Sequence, residues 1–480
     1  MSQNNKLPDY VASATPNPAG NRAPWLTTTA ATYAGIMLWF VFWSFFPGSG
    51  GGAGGVLSQG LLFALISVVI AAFICYFCFY HVPGMLGMKT GLPLYIVGTS
   101  TYGVQGGFIM PGFLMGCLQF GWLSVNGYAA GKGLAMMAGS AEMSVMHIGI
   151  GVVWAMIAAF VGLKGIKYVG MVASYMPIIP IVALLCLLAC TVGGVFHFNP
   201  QTAVDAGITA AAAEEPSRIS EAVGLYGSGA LGSLSGQLGV LSVICAYIVG
   251  FFATAGAAGC DFGSNNKDRT AVIMGGLVGI ALATIFTAGI ALVAIAGAQG
   301  AGTIEATSLN PYDAMKTMIG SQFGGFFMFL LAIAAFPSAC FSSLIAANSF
   351  KTTLPKVDPF LSCGIGTLVA CLLIGSGLAG KADFVFGFIG ASFGPVCGAM
   401  MADYLLAGKK WAGPRAGFNP AGWISFAAGF IVGGLPLLGI LKNVIPCPPV
   451  SAFVVGLVLY YILARAGMES QKLDMPQRID

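Results

Sequence analysis

Residues 61–80 read LLFALISVVIAAFICYFCFY and carry no formal charge. About 20 apolar residues wound as a helix cross the hydrocarbon core of a bilayer, so this run is of spanning length. The charge-free region begins far upstream, with no Asp, Glu, Lys or Arg anywhere from Ala23 to Tyr80. Similar runs recur along the chain, which therefore reads as an all-α polytopic membrane protein, since a helix satisfies its own backbone polar groups in lipid. Ionisable side chains at membrane depth mark carriers of charged solutes, proton pumps and voltage sensors. Their scarcity in these runs points to a solute that is neutral overall.

Composition narrows the class. Of 480 residues, 57% are hydrophobic and 8% charged, and mean hydropathy is +0.87, whereas soluble domains carry about 25% charged residues. A soluble enzyme is excluded. The net charge of +4 is small and sits in loops, so it reports orientation and implies no nucleic-acid partner. The first 25 residues are polar, hold Pro8, Pro16, Pro18 and Pro24, and lack an apolar core beside a small-residue cleavage site. No cleavable signal peptide is expected, and the first span serves as the targeting signal. The 12 cysteines lie mostly in apolar runs, where pairs such as Cys75 and Cys78 act as small buried hydrophobes.

Uncharged runs give twelve spans, at about 27–50, 57–80, 107–130, 143–163, 168–194, 236–260, 270–297, 322–350, 359–378, 384–402, 420–441 and 447–464. With the N-terminus in the cytoplasm, Lys132, Arg218, Lys316, Lys381 and Lys442 fall outside, and the other fifteen Lys and Arg, from Lys6 to Arg478, fall inside. Fifteen against five places both termini in the cytoplasm by the positive-inside rule, and the cell (inner) membrane is the expected location. The longest break, with Asp205, Glu214, Glu215, Arg218 and Glu221, follows the fifth span. The chain divides into a cytoplasmic segment 1–25, a five-helix repeat 26–197, an extracytoplasmic loop 198–235, a second five-helix repeat 236–408, two accessory helices 409–466 and a cytoplasmic tail 467–480. Five spans, a loop and five spans entering from the opposite side match an inverted repeat, whose halves often begin with an interrupted helix. Phe46, Pro47 and Gly48 in the first span, and Gly250, Gly256 and Gly259 in the sixth, mark candidate breaks; glycines that only let helices pack closely are the alternative.

With charge absent from the spans, amides, hydroxyls and aromatics are the candidate ligands. Gln119, Trp122 and Asn126 are spaced by three and four residues, so they share one helical face. An indole beside two amides suits a heterocycle; the same stripe would also serve to hydrogen-bond two helices. The sixth span adds Phe251, Phe252 and Thr254, and the first adds Trp43, Ser44 and Phe45, so that aromatics from three helices could sandwich a planar solute. The eighth span holds Ser338, Ser342, Ser343 and Asn348, and hydroxyls facing carbonyls of an interrupted first helix would form an all-oxygen site for sodium. Serines bonded back to their own helix are the alternative. Asp261 and Asp403 close the sixth and tenth spans, where an anchoring role is expected rather than a proton relay.

The stretch GLPLYIVGTSTYGVQGG (Gly91 to Gly107) followed by QFGW (Gln119 to Trp122) resembles the nucleobase:cation symporter family of purine, cytosine, allantoin and hydantoin permeases. APW and TYAG between Ala23 and Gly35, CDFG at Cys260 to Gly263, IAANSF then LPKV between Ile345 and Val357, and GPVCGAMMADYLL at Gly394 to Leu406 extend the resemblance in order over nearly the whole chain. It implies a LeuT-like five-plus-five inverted repeat with two further helices, and a substrate site among the first, third, sixth and eighth. It also implies that Trp122 and Phe252 stack on the base, that Asn126 reads its edge, and that the unwound part of the first helix falls at about Trp43 to Phe45. For sodium it implies first-helix carbonyls near Val41 and Ser44 and eighth-helix hydroxyls. Here the eighth helix departs from the pattern, with Phe336 and Pro337 where paired hydroxyls are expected and Ser338 beside them; the substrate-contacting amide falls near Ser342.

The expectation is a permease, with monomer favoured, that imports a neutral nucleobase, cytosine-like first, or a related small heterocycle, with sodium as coupling ion. Substrate-binding residues are Trp43, Ser44, Phe45, Gln119, Trp122, Asn126, Phe251, Phe252 and Ser342, and the sodium set is Val41, Ser44, Thr254 and Ser338. Rivals are a pyrimidine vitamin, allantoin, hydantoin or amino-acid permease of the same fold, proton coupling, or a channel or non-transporting receptor.

Overall fold

The computed structural model describes residues 7–164, 178–214, 231–441 and 444–475. Lys6, Glu215, Arg218, Glu221, Lys442 and Arg478 lie outside the described residues. Ten described helices are long and apolar enough to cross a membrane: α2 (Leu61–Thr90), α3 (Thr99–Met137), α4 (Val145–Lys164), α5 (Ile178–His197), α6 (Leu234–Ala257), α7 (Arg269–Gly300), α8 (Gln322–Lys351), α10 (Ala382–Leu406), α11 (Pro420–Leu438) and α12 (Pro448–Arg465). Two shorter apolar helices, α1 (Thr29–Trp43) and α9 (Pro359–Gly375), complete the series. The long break after α5 is not all loop, because Pro200–Glu214 is helical.

Helix α3 packs along α4 and α8, α4 also along α8 and α9, α6 between α2 and α10, and α10 to α12 against one another. The charge-free reading ends the second span at residue 80 and starts the third at 107; α2 instead runs on past Pro83 to Thr90, and α3 begins at Thr99. The extension of α2 passes Pro83, and α3 carries Pro111 within its expected span; a proline lacks one ladder N–H and crowds the carbonyl four residues back. A wider π-helical turn meets each: Cys75–Tyr80 includes Phe79, four before Pro83, and Phe108–Leu114 contains Pro111. A third π turn, Leu277–Leu282 in α7, packs against that of α2.

The breaks differ from expectation. Helix α1 splits into Thr29–Met37 and Phe40–Trp43, with Trp39 at φ −75°, ψ 81°, so the interruption lies at Leu38 and Trp39 rather than at Trp43 to Phe45. Side chains take up carbonyls around it: Trp43 Nε1 donates to Met37 O at 2.7 Å, Tyr247 OH to Phe42 O at 2.7 Å, and Ser44 Oγ to Val41 O at 2.7 Å. Helix α6 runs unbroken through Gly250 and Gly256 to Ala257, where Ala258 (φ −62°, ψ −5°) ends it and the short helix Gly259–Gly263 follows, so Gly259 alone of the three candidate glycines stands at an interruption. A Cβ on Gly250 would lie 2.5 Å from Phe386 O, and one on Gly256 2.7 Å from Phe79 Cβ, so these glycines serve close packing.

The described N- and C-terminal segments meet at one end of the bundle, where charge is buried. Arg415 Nη1 lies 3.0 Å from Asp403 Oδ1, and Nη2 lies 2.6 Å from Glu469 Oε1 in the C-terminal segment. Asp403 Oδ2 also accepts from Ser100 Oγ at 2.6 Å and Thr101 Oγ1 at 3.1 Å, and Tyr460 OH donates to Glu469 at 2.9 Å. Asp403 thus ties α10 to the start of α3 and to Arg415, with a buried guanidinium as partner. Gly103 (φ +82°) lets the start of α3 turn against this region, since a Cβ there would stand 2.2 Å from Gly417 O. On the N-terminal side, Arg22 Nη1 donates to Met88 O at 2.6 Å and Asn17 Nδ2 to Asn265 Oδ1 at 3.0 Å.

Candidate substrate cleft

A narrow cleft of about 40 Å³ lies among α1, α3, α6 and α8. That is room for roughly three waters, so a heterocycle enters only if side chains part. Gln119 and Trp122 face it from α3, Thr254 and Ala255 from α6, and Ser338 and Ser342 from α8. Ile36 and Trp39 from α1, and Phe341 and Ile345 from α8, were not singled out by the sequence pattern. Ala258 and Phe262, after the last turn of α6, extend the cleft toward the end that carries both termini. No Asp, Glu, Lys or Arg lines it.

Trp122 is held by an indole N–H bond to Thr254 Oγ1 at 3.1 Å and by Phe251, whose ring centroid is 4.7 Å away. The Gln119 amide nitrogen meets only a weak acceptor, the Met115 sulfur at 3.4 Å. Asn126, expected to read the substrate, is turned to helix pairing: Oδ1 accepts from Trp154 Nε1 at 3.1 Å and Nδ2 reaches Ala335 O at 3.5 Å. Phe252 packs on Tyr33 at 5.7 Å, away from the cleft lining, while Phe251 takes the place against Trp122.

Opposite the termini, an aromatic layer closes the cleft. Phe42 lies 5.4 Å from Trp122, 4.9 Å from Phe251 and 5.4 Å from Phe386. Trp43 continues the layer against Phe46 and Phe251, each at 5.5 Å. Beyond it a second cavity of about 330 Å³ is bordered by Ser44, Phe45, Lys132, Lys381 and Asp383. Of the first-helix residues expected at the substrate, Trp43 therefore belongs to the seal, and Ser44 and Phe45 border the far cavity.

The four residues of the expected sodium set do not converge. Val41 O accepts from Ser44 Oγ, Thr254 Oγ1 from Trp122, and Ser338 Oγ donates to the α1 carbonyl of Gly35 at 3.5 Å. No group of three or more His, Cys, Asp or Glu among the described residues could hold a metal ion. In the short helix after α6, burial pushes the Asp261 carboxyl up to about 6, against the lowering effect of the Leu94 backbone N–H and of its own.

A bundle with an uncharged cleft between broken and unbroken helices, sealed at one end and extended toward the other, is the form of a membrane transporter. The sequence profile of permeases for cytosine/purines, uracil, thiamine and allantoin matches residues 25–413, and the chain belongs to that family. Comparison with curated protein sequences finds no match. Among solved structures, the inward-facing conformation of Mhp1 aligns with TM-score 0.68 and 14% identity over 95% of this chain and 94% of that one. Mhp1, a nucleobase-cation-symport-1 family transporter, in a closed conformation with bromovinylhydantoin bound gives 0.63, at 14% identity and the same 95% and 94% coverage. An outward-open, Na+-coupled sialic acid symporter gives 0.53 at 12% identity over 98% and 94%. At these identities the likeness is one of fold: the LeuT-like five-plus-five inverted repeat expected above.

Proposed function

We propose that this permease imports a neutral, flat heterocycle of nucleobase size, cytosine-like first, across the cell membrane by alternating access, with sodium as coupling ion. The observation that carries the reading is the cleft lining: an indole face at Trp122, an amide at Gln119 with only a sulfur for company, hydroxyls at Ser338 and Ser342, and no charge. A cation would find no carboxylate and an anion no Lys or Arg, and an unpaired buried charge is costly. The aromatic layer around Phe42 fits a gate shut on one side while the cleft extends to the other.

Sodium is supported by Ser338 Oγ and Gly35 O, which bring two oxygens together across α1 and α8. Uptake of radiolabelled cytosine, uracil and hypoxanthine into proteoliposomes, with inward sodium or potassium gradients, tests the reading. Saturable uptake of one ring, stimulated by sodium, is expected; linear uptake at all concentrations would indicate a channel, and binding without uptake a receptor. Ser338→Ala should lower the stimulation by sodium several-fold, and equal stimulation of variant and wild type would remove that hydroxyl from the ion path.

A further inference from the structure

Trp39 sits at the break in α1, where the backbone leaves the helix, and borders the same cleft as Trp122. The two indoles lie 6.3 Å apart, centroid to centroid, and only 22° from parallel. If their planes are in contact at about 3.5 Å, one ring is displaced sideways by about 5 Å, the offset form that aromatic pairs prefer. Such an offset leaves part of the Trp122 face uncovered by Trp39, and both indoles border the cleft. A flat solute stacked there would meet Trp39 edge to edge.

A second observation concerns the edge. Of the seven tryptophans in the chain, five donate the indole N–H to a protein acceptor: Trp43, Trp122, Trp154, Trp411 and Trp423. Trp39 is 3% exposed, and its Nε1 is one of seven buried side-chain nitrogen and oxygen atoms without a hydrogen-bond partner among the described residues, and the one whose residue borders the cleft. A buried donor left without an acceptor is destabilising, so native structures seldom keep one without a reason. Here the orphan belongs to a residue that borders an uncharged cleft and lies nearly parallel to the indole of Trp122.

We infer that Trp39 is a substrate-binding and specificity-determining residue, whose indole N–H donates in plane to a carbonyl oxygen or ring nitrogen on the edge of the heterocycle stacked on Trp122. The inference rests on the heterocycle reading above and adds a rule to it. An indole nitrogen donates and never accepts, so the solute must present an acceptor at that edge, and a ring with only N–H or C–H there is rejected. The Gln119 amide, which can donate or accept, is left to read another edge.

Two changes at position 39 of the full-length protein test this. Trp39→Phe keeps an aromatic face and removes the N–H; benzothienylalanine introduced at the same position keeps the two-ring shape and replaces N–H by sulfur. Binding of cytosine, uracil and hypoxanthine to purified protein is measured by calorimetry, beside the thermal unfolding of each ligand-free variant. The tightest of the three rings should lose about tenfold in affinity in both variants, since a made hydrogen bond is exchanged for none. Unfolding of the ligand-free benzothienylalanine protein should be no easier than that of wild type, because the N–H has no protein partner to lose. Unchanged affinity in either folded variant overturns the assignment of Trp39 while the heterocycle reading stands. Failure of all three rings to bind wild type overturns the heterocycle reading, and this inference with it.

Discussion

The central cleft and the termini-bearing end of the bundle handle polar groups in opposite ways. At the termini, Asp403, Arg415 and Glu469 are buried in a cluster where each carboxylate has the guanidinium and at least one hydroxyl as partner. In the cleft no charge is present, and the polar groups that remain are under-used: an amide on a sulfur and an indole N–H with no acceptor. Paired carboxylates hold helices in place at the termini, although Arg415 Nε there has no partner among the described residues, whereas the spare amide and indole donors of the cleft border a space that a solute can enter. The family motif from Gly91 to Gly107 belongs to the first region, tying the start of α3 to Arg415 and Gly417. The residues best able to define the solute lie outside that motif.

The contrast breaks first where charge is buried. Arg415→Ala leaves Asp403 and Glu469 without their cation and should cost about 3–5 kcal/mol of stability. Thermal unfolding in detergent reads this; wild-type stability of the variant would mean that the cluster does not hold the bundle. Trp122→Leu attacks the other region and should weaken binding of the tightest ring by at least about thirtyfold, the scale of an interface hot spot. Binding as tight as wild type would remove Trp122 from the site. Asn126→Leu sharpens the division within one helical face. It strands the Trp154 N–H and should cost about 1–3 kcal/mol of stability, while affinity moves less than threefold; a collapse of affinity would return Asn126 to the substrate.

The smallest effect concerns Asp261. Its folded value of about 6 lies above the ordinary 3.8, so the native state keeps a proton that the unfolded chain has lost between those values. The resulting stability is complete below about pH 4 and fades as pH rises through 6. Asp261→Asn has no such penalty, so its unfolding temperature should gain on wild type from pH 4 to pH 8. A difference that stays constant with pH would show an ordinary, solvated carboxyl. Cytosine uptake by this variant should keep the wild-type pH profile, and a lost pH response would make the proton a coupling ion.

Much of the fold was legible because lipid imposes one signal, a long charge-free run, on every crossing helix. Ten helices meet the length and hydropathy of a span, while α1 and α9 fall short of it. The end of α2 was hidden because Pro83 reads as a stop and the π turn that accommodates it leaves no mark in composition, and the start of α3 because Thr99 to Gly106 is polar and glycine-rich. The site was legible in part for a related reason. Gln119, Trp122 and Ser342 among the substrate residues, and Thr254 and Ser338 among the ion residues, do border the cleft. Trp39 escaped notice because α1 breaks at Leu38 and Trp39, away from the Pro47 and Gly48 that mark a break in the sequence. On a continuous helix Trp39 and Trp43 would share one face; the break leaves Trp39 at the cleft and turns Trp43 into the aromatic seal. Asn126 shows the reverse case, since spacing alone placed it with Trp122, and only its bonds to Trp154 and α8 reveal that its amide is already spent.

The central claim is that an uncharged cleft receives a neutral flat ring. It is tested most directly by the thermal stability of the purified protein against nucleobases, hydantoins, pyrimidine vitamins and amino acids, each in sodium and in potassium. Ligand that binds only the native state stabilises by RT ln(1 + [L]/Kd), about 2.7 kcal/mol at a hundredfold excess over Kd. The account predicts a rise with one planar heterocycle, larger in sodium. A rise with a charged or saturated solute, and none with any flat neutral ring, would contradict it.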